Sequence, residues 1–170
     1  MKKPGSNPAD YADMDAYSSI RSIKEIIGTG ILSSEGSQSP FFRPCITQIL
    51  IELSDLLQKS ANRGNRISFK DDISPVNGKE RDVTDLINDC RNAACHISSG
   101  NHIFEQNKFT FNVMVGYCPN AFKINDVTIG SDYHDDIAIM WGGLKLYAGR
   151  HILRAYQEAV PHFPDPWSRS

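Results

Sequence analysis

The clearest periodicity in the chain lies between residues 46 and 58. Ile46, Ile49, Leu50, Leu53, Leu56 and Leu57 recur at helical spacing, with Gln48, Glu52, Asp55 and Gln58 opposite them. This pattern predicts an amphipathic helix with one buried stripe. Ile20, Ile23, Ile27 and Ile31 predict an earlier helix, entered from Asp15. Val83, Leu86, Ile87, Cys90 and Ala94 predict a third, which begins near Glu80 and is stopped by Gly100 and Asn101. The small polar run 33–40 and the turn-rich segment 61–79 separate the three.

The period changes after residue 103. Phe109, Phe111, Val113 and Val115 alternate with Thr110, Asn112 and Met114, which predicts a strand, and "AFKI" and "VTIG" read as short returning strands. From residue 137 a helical face returns, through Ile137, Met140, Trp141, Leu144, Tyr147 and Ala148. A long last helix over 137–160 is predicted, in which Gly142, Gly143 and Gly149 permit a close approach to a neighbour. The expected fold is mainly α: a four- to five-helix up-down bundle with a small antiparallel β-hairpin insertion, residues 103–132, before the last helix. One domain over 15–160 would carry loose tails at 1–14 and 161–170.

Composition narrows the class. With 170 residues, 40% of them hydrophobic, the chain suits a single packed core rather than a disordered segment. A net charge of −2 excludes a protein that coats nucleic acid and leaves room only for a local contact. No apolar run reaches bilayer length, and "MKKPGSNPADYADMD" lacks the apolar stretch of a signal peptide, so a cytoplasmic chain without membrane contact is expected. Cys45, Cys90, Cys95 and Cys118 are then expected as thiols. Cys90, Cys95 and His96 do not follow C-x-x-C spacing, and no metal or other cofactor is expected.

The candidate chemistry lies in Arg91-Asn92-Ala93-Ala94-Cys95-His96, near the end of the third predicted helix. Five residues turn a helix through roughly 500°, which sets Arg91 and His96 about 140° apart around the axis. They converge on one ligand only if the helix unwinds, if the arginine bends across, or if two copies face each other about a two-fold axis. An arginine fork stabilises the charge that gathers on a phosphate during cleavage. A histidine, titrating near neutrality, takes a proton from a ribose 2′-hydroxyl or gives one to the leaving oxygen, without a metal. Asn92 would orient either group, and the small residues between admit a close neighbour. The competing, purely structural reading pairs Arg91 with Asp85, Asp89 or Glu80 and leaves His96 as a helix-terminal residue favoured by the dipole.

The hexapeptide has the R-(polar)-x3-H form, and its place on the third helix of an expected bundle resembles the HEPN (higher eukaryote and prokaryote nucleotide-binding) superfamily. The resemblance implies a homodimeric, metal-independent endoribonuclease of the kind found in toxin–antitoxin, CRISPR-associated and phage-defence systems, with an antitoxin or defence protein as partner. It implies catalytic roles for Arg91 and His96, with Asn92 in support. Ser98 stands where related toxins commonly carry a tyrosine that receives AMP, which argues against that form of regulation. The strand-rich insertion has no place in the minimal bundle.

Other candidates are weaker. Asp132, His134, Asp135 and Asp136 in "SDYHDD" are potential metal ligands, but are better read as capping and first-turn residues of a helix. Arg63 and Arg66, with Lys145, Arg150, His151 and Arg154, offer cations for an RNA backbone, and Arg150 and Arg154 are one helical turn apart. Phe109 and Phe111 have the form of base-stacking platforms, though an alternating core face accounts for them better. No phosphate-binding glycine loop or G-x-S-x-G elbow occurs, and His102, His151 and His162 belong to no recognisable constellation. The expected activity is RNA cleavage at Arg91 and His96; the alternative is a non-catalytic helical module that dimerises or binds a nucleotide or a protein.

Overall fold

The computed structural model describes residues 8–75, 79–96, 98 and 100–163. Three helices come first: α1 (Pro8–Gly28), α2 (Phe42–Asn62) and α3 (Val83–Cys95). All six apolar positions predicted for the stripe of α2 are buried. Pro44 stands in its first turn, where a missing N–H costs nothing. α3 starts at a capping box: the Asp82 side chain accepts from the Asp85 N–H at 3.0 Å, and the Asp85 carboxylate accepts from the Asp82 N–H at 3.4 Å. α2 packs against both α1 and α3. Residues 8–14, expected in the loose tail, belong to α1, while 1–7 and 164–170 lie outside the described residues.

Seven short strands follow: β1 (Ile103–Phe104), β2 (Asn107–Lys108), β3 (Asn112–Val115), β4 (Cys118–Ile124), β5 (Val127–Ser131), β6 (Ile137–Trp141) and β7 (Leu144–Tyr147). β1–β2 and β4–β5 are antiparallel hairpins, and the remaining three strands form an antiparallel sheet in the order β3-β6-β7. A π-helical turn (Ala148–Leu153) then leads into the short helix α4 (Arg154–Ala159).

The predicted last helix is therefore wrong over its first half, and with it the fold class. The protein is α+β, with four α-helices and seven strands among the described residues, rather than a mainly α four- to five-helix bundle. The cause lies in burial. Every residue of β6 is buried, so the strand reads as an unbroken apolar run that fits a helical period as well as an extended one. Ile137, Ile139 and Trp141 enter the core formed by the three long helices, whereas Ala138 and Met140 enter a second core with Met114, Ile129 and Tyr147.

Gly142 ends β6 with φ +54°, in the left-handed region that disfavours side chains. Its N–H donates to the Phe109 carbonyl at 2.6 Å, and a Cβ there would come within 2.2 Å of the Asn101 carbonyl oxygen. The glycine thus permits the expected close approach to a neighbour, but from a hairpin turn rather than from within a helix.

The π-helical turn is fixed from both sides. Asp136, immediately before β6, accepts from the backbone N–H groups of Ile137, Gly149 and Arg150 at 2.7, 2.8 and 3.0 Å, and from Arg150 Nη1 at 3.1 Å. His151 is fully buried: its Nδ1 accepts from the Tyr147 N–H and its Nε2–H donates to the Asp71 carbonyl, both at 3.0 Å. Those two bonds require the neutral Nε2–H tautomer.

Two outcomes follow from these contacts. Gly142→Ala combines a disfavoured φ with a backbone clash and should lower unfolding stability by roughly 1–3 kcal/mol in a denaturant titration; an unchanged midpoint would refute the close turn. Burial pushes the His151 imidazole below its ordinary pKa of 6.5, so the unfolded chain binds the extra proton first. The stability it contributes is complete above about pH 6.5 and is lost as pH falls toward the lowered folded value. Between pH ~7.5 and ~5.5, wild type should lose more stability than His151→Gln, which has no titrating ring; parallel losses would contradict this assignment.

Candidate functional site

The carboxyl end of α3 is where the sequence places the chemistry. Ala93 is buried against the helical core and fixes the face of the last turn, while Arg91 and Asn92 are half-buried at its edge. The helix stops at Cys95. His96 is its C-cap, extended at φ −123° and ψ 91°, with its N–H still donating to the Asn92 carbonyl at 3.0 Å. Its side chain is exposed. The backbone therefore unwinds at His96, one of the three ways in which this residue can escape its helical direction relative to Arg91.

Arg91 Nη1 donates to Asn92 Oδ1 at 2.9 Å. The three acids that the structural reading offered to Arg91 are engaged elsewhere. Asp85 pairs with Arg66 at 2.7 Å, Glu80 with Lys70 at 2.5 Å, and Asp89 with Arg81. Among the described residues Arg91 has no carboxylate partner. Its charge is held by a neutral amide and remains unneutralised, which leaves the fork able to meet an external anion.

The other cations proposed for RNA are differently placed. Arg66 clamps Asp82 through two bonds of 2.7 and 2.9 Å. Burial works against the Asp82 carboxylate, but these bonds and the Asp85 N–H bring its pKa below the ordinary value. Lys145 pairs with Asp132 at 2.5 Å and lies 5.6 Å from the Tyr147 ring centre. Burial alone would lower the Lys145 pKa; the Asp132 bond turns the shift upward. Arg150 pairs with Asp135 and Asp136 at 3.0 and 3.1 Å and stacks 3.5 Å over Tyr133. Arg154 pairs with Asp71 and Glu158, both at 2.8 Å, and stacks 3.7 Å over Phe69. Arg63 donates to the His162 carbonyl at 3.4 Å, and its guanidinium lies 4.6 Å from the Phe163 ring centre. Arg66, Lys145, Arg150 and Arg154 thus join segments of the fold to one another, and their charges are met by nearby acids.

The "SDYHDD" segment is followed by the strand β6 rather than by the expected helix, and of its residues Asp136 alone is seen to meet helical N–H groups among the described residues. Asp136 reaches the N–H groups that open the π-helical turn, across the β6–β7 hairpin. No group of three or more His, Cys, Asp or Glu side chains arranged to hold a metal occurs among the described residues. His134 stacks on Tyr117 at 4.7 Å beside a cleft of about 440 Å³ formed by Leu32, Glu35, Val115, Ile137 and Leu153 with their neighbours. Phe109 packs edge-on against Phe122 at 5.3 Å, and Phe111 against Trp141 at 5.4 Å, so both contribute to core packing. The cysteines are free thiols: Cys90 is buried, which pushes its pKa up, Cys45 and Cys118 are half-buried, and Cys95 is exposed beside His96.

One residue at this end was not singled out by the sequence. His102, in the 3-10 turn Gly100–His102, is buried, and its Nε2 lies 3.1 Å from the His96 carbonyl oxygen. No local pattern announces this contact, because it closes a loop rather than following a period.

No helix among the described residues is long and apolar enough to cross a membrane. Comparison with protein-family models, with curated proteins and with solved structures finds no match to this chain.

Proposed function

We propose that the chain is a metal-independent endoribonuclease whose site is the carboxyl end of α3. The observation that carries this reading is the allocation of charge: Asp85, Asp89 and Glu80 are paired with Arg66, Arg81 and Lys70, and Arg91 is left with Asn92, five positions before the exposed His96. With the bundle fold absent, the resemblance to the HEPN superfamily rests on the hexapeptide alone, and the proposal is argued from the site.

The chemistry needs three acts. Arg91, oriented by Asn92 Oδ1, binds the non-bridging phosphate oxygens and offsets the charge that builds there. His96 takes the proton of the ribose 2′-hydroxyl as the 2′-oxygen attacks phosphorus. The bond from phosphorus to the 5′-oxygen breaks as a second acid protonates that oxygen, leaving a 2′,3′-cyclic phosphate and a free 5′-hydroxyl. A two-fold pair of chains, each presenting its α3 end, would supply that acid as the imidazolium of the second histidine.

A second reading has its own observation. Arg66, Lys145, Arg150 and Arg154 are paired with carboxylates and the net charge is −2, so these four cations do not stand open as a track for RNA. That pattern favours a non-catalytic dimerisation or binding module. The two readings separate in one assay. Purified protein incubated in EDTA with mixed tRNA and mRNA should cut it to cyclic-phosphate ends. Arg91→Ala and His96→Ala, each with an unchanged circular dichroism spectrum and melting temperature, should lose roughly 10²- to 10⁴-fold in rate. Full activity in both variants would remove the site, and no cleavage by wild type would transfer the case to the binding module.

A further inference from the structure

His96 is useful only if its backbone is held, and the fold supplies a holder. A helix end leaves carbonyl groups without intrahelical partners, and the chain beyond Cys95 is already extended at His96. The His96 carbonyl is met by His102 Nε2 at 3.1 Å. A carbonyl oxygen only accepts, so His102 must carry its proton on Nε2 in this contact. In the neutral ring Nδ1 is then a bare acceptor, and it is buried with no partner among the described residues.

That half-satisfied ring is informative. A buried acceptor without a partner is costly, and a leucine of similar bulk would fill the same space without it. What a leucine lacks is the bond to the His96 carbonyl. His102 is itself tied to the sheet: its carbonyl accepts from the Phe109 N–H at 2.7 Å, and the Phe109 carbonyl accepts from the Gly142 N–H at 2.6 Å. Asn101 adds a bond to the Asp89 carbonyl of α3 at 3.4 Å. A run of hydrogen bonds therefore connects the β6–β7 turn to the backbone of His96.

We propose that His102 is a positioning residue for His96: its Nε2–H, bonded to the His96 carbonyl and backed by the β6–β7 turn, holds the extended backbone from which the His96 imidazole projects. The inference rests on the ribonuclease reading only for its kinetic consequence. A displacement of about 1 Å in a reacting group is enough to cost roughly 100-fold in rate, so loss of this bond is read in turnover rather than in substrate binding.

The test uses the full chain and begins on wild type. Long-range nitrogen-15 NMR should find His102 as the Nε2–H tautomer with a slowly exchanging proton; an Nδ1–H tautomer, or free exchange, overturns the proposal without any variant. His102→Leu should then move the amide and imidazole signals of His96 while leaving those of Leu86 and Ile87 in place. It should lower kcat about 10- to 100-fold with KM changed less than about twofold. His102→Gln, which keeps a donor at the end of its side chain, should restore most of both. His96 signals and kcat unmoved by His102→Leu would refute the assignment. Should wild type cleave no RNA, the ribonuclease reading falls, and the NMR arms still decide whether His102 positions His96.

Discussion

The fold depends on one strand being buried on both faces. β6 sends Ile137, Ile139 and Trp141 into the helical core and Ala138 and Met140 into the smaller core under the β4–β5 hairpin. Each side chain that it removes from water contributes up to roughly 1.5–3 kcal/mol, but its position matters more than the sum. β3 and β7 pair with its two edges, and each of its ends holds a close connection to another segment. At one end Asp136 gathers the N–H groups that open the π-helical turn; at the other Gly142 turns against the backbone of Asn101. The helices and hairpins are thereby referred to a common strand.

The same economy of partners marks the candidate site. Surface ion pairs contribute little singly, yet their allocation decides which charges remain open. Arg66 takes Asp82 and Asp85, Arg81 takes Asp89, Lys70 takes Glu80, and Arg154 ties Asp71 beside the carbonyl that His151 holds. These contacts fasten the segment between α2 and α3 to the body of the protein. Arg91 stands one position after Cys90, whose burial fixes the inward face of α3, and it is left outside this network with Asn92 as its neighbour. Arg91, passed over by structural pairing on the helix that ends at the exposed His96, is the cation on which the proposed phosphate contact draws.

Much of this was legible in the sequence wherever one face meets water. α2 and most of α3 announce themselves through stripes such as Ile46 to Leu57 and Val83 to Cys90, because polar positions mark the opposite face. β4 and β5 were found from their turns and short apolar runs. β6 and β7 were not, since a strand without a solvent face has no alternation, and Ile137, Met140, Trp141 and Leu144 mimic a helix. Gly142 and Gly143 were the available signal: a glycine pair inside an apolar run marks a hairpin turn here. The hexapeptide was visible as a motif, but its two decisive features were not. Which acids engage Arg66, Arg81 and Lys70, and which side chain holds the His96 carbonyl, are set by contacts across loops that no local period encodes.

The proposed cleavage requires Arg91 and His96 to act on one phosphodiester. The decisive experiment is the structure of the chain bound to a short RNA that carries a 2′-O-methyl group at the scissile position, which cannot attack the phosphate. Phosphate oxygens should lie within hydrogen-bond reach of the Arg91 guanidinium, still braced by Asn92, and the blocked 2′-oxygen should face the His96 ring. RNA seated instead along Arg150 and Arg154, with Arg91 and His96 empty, would contradict it.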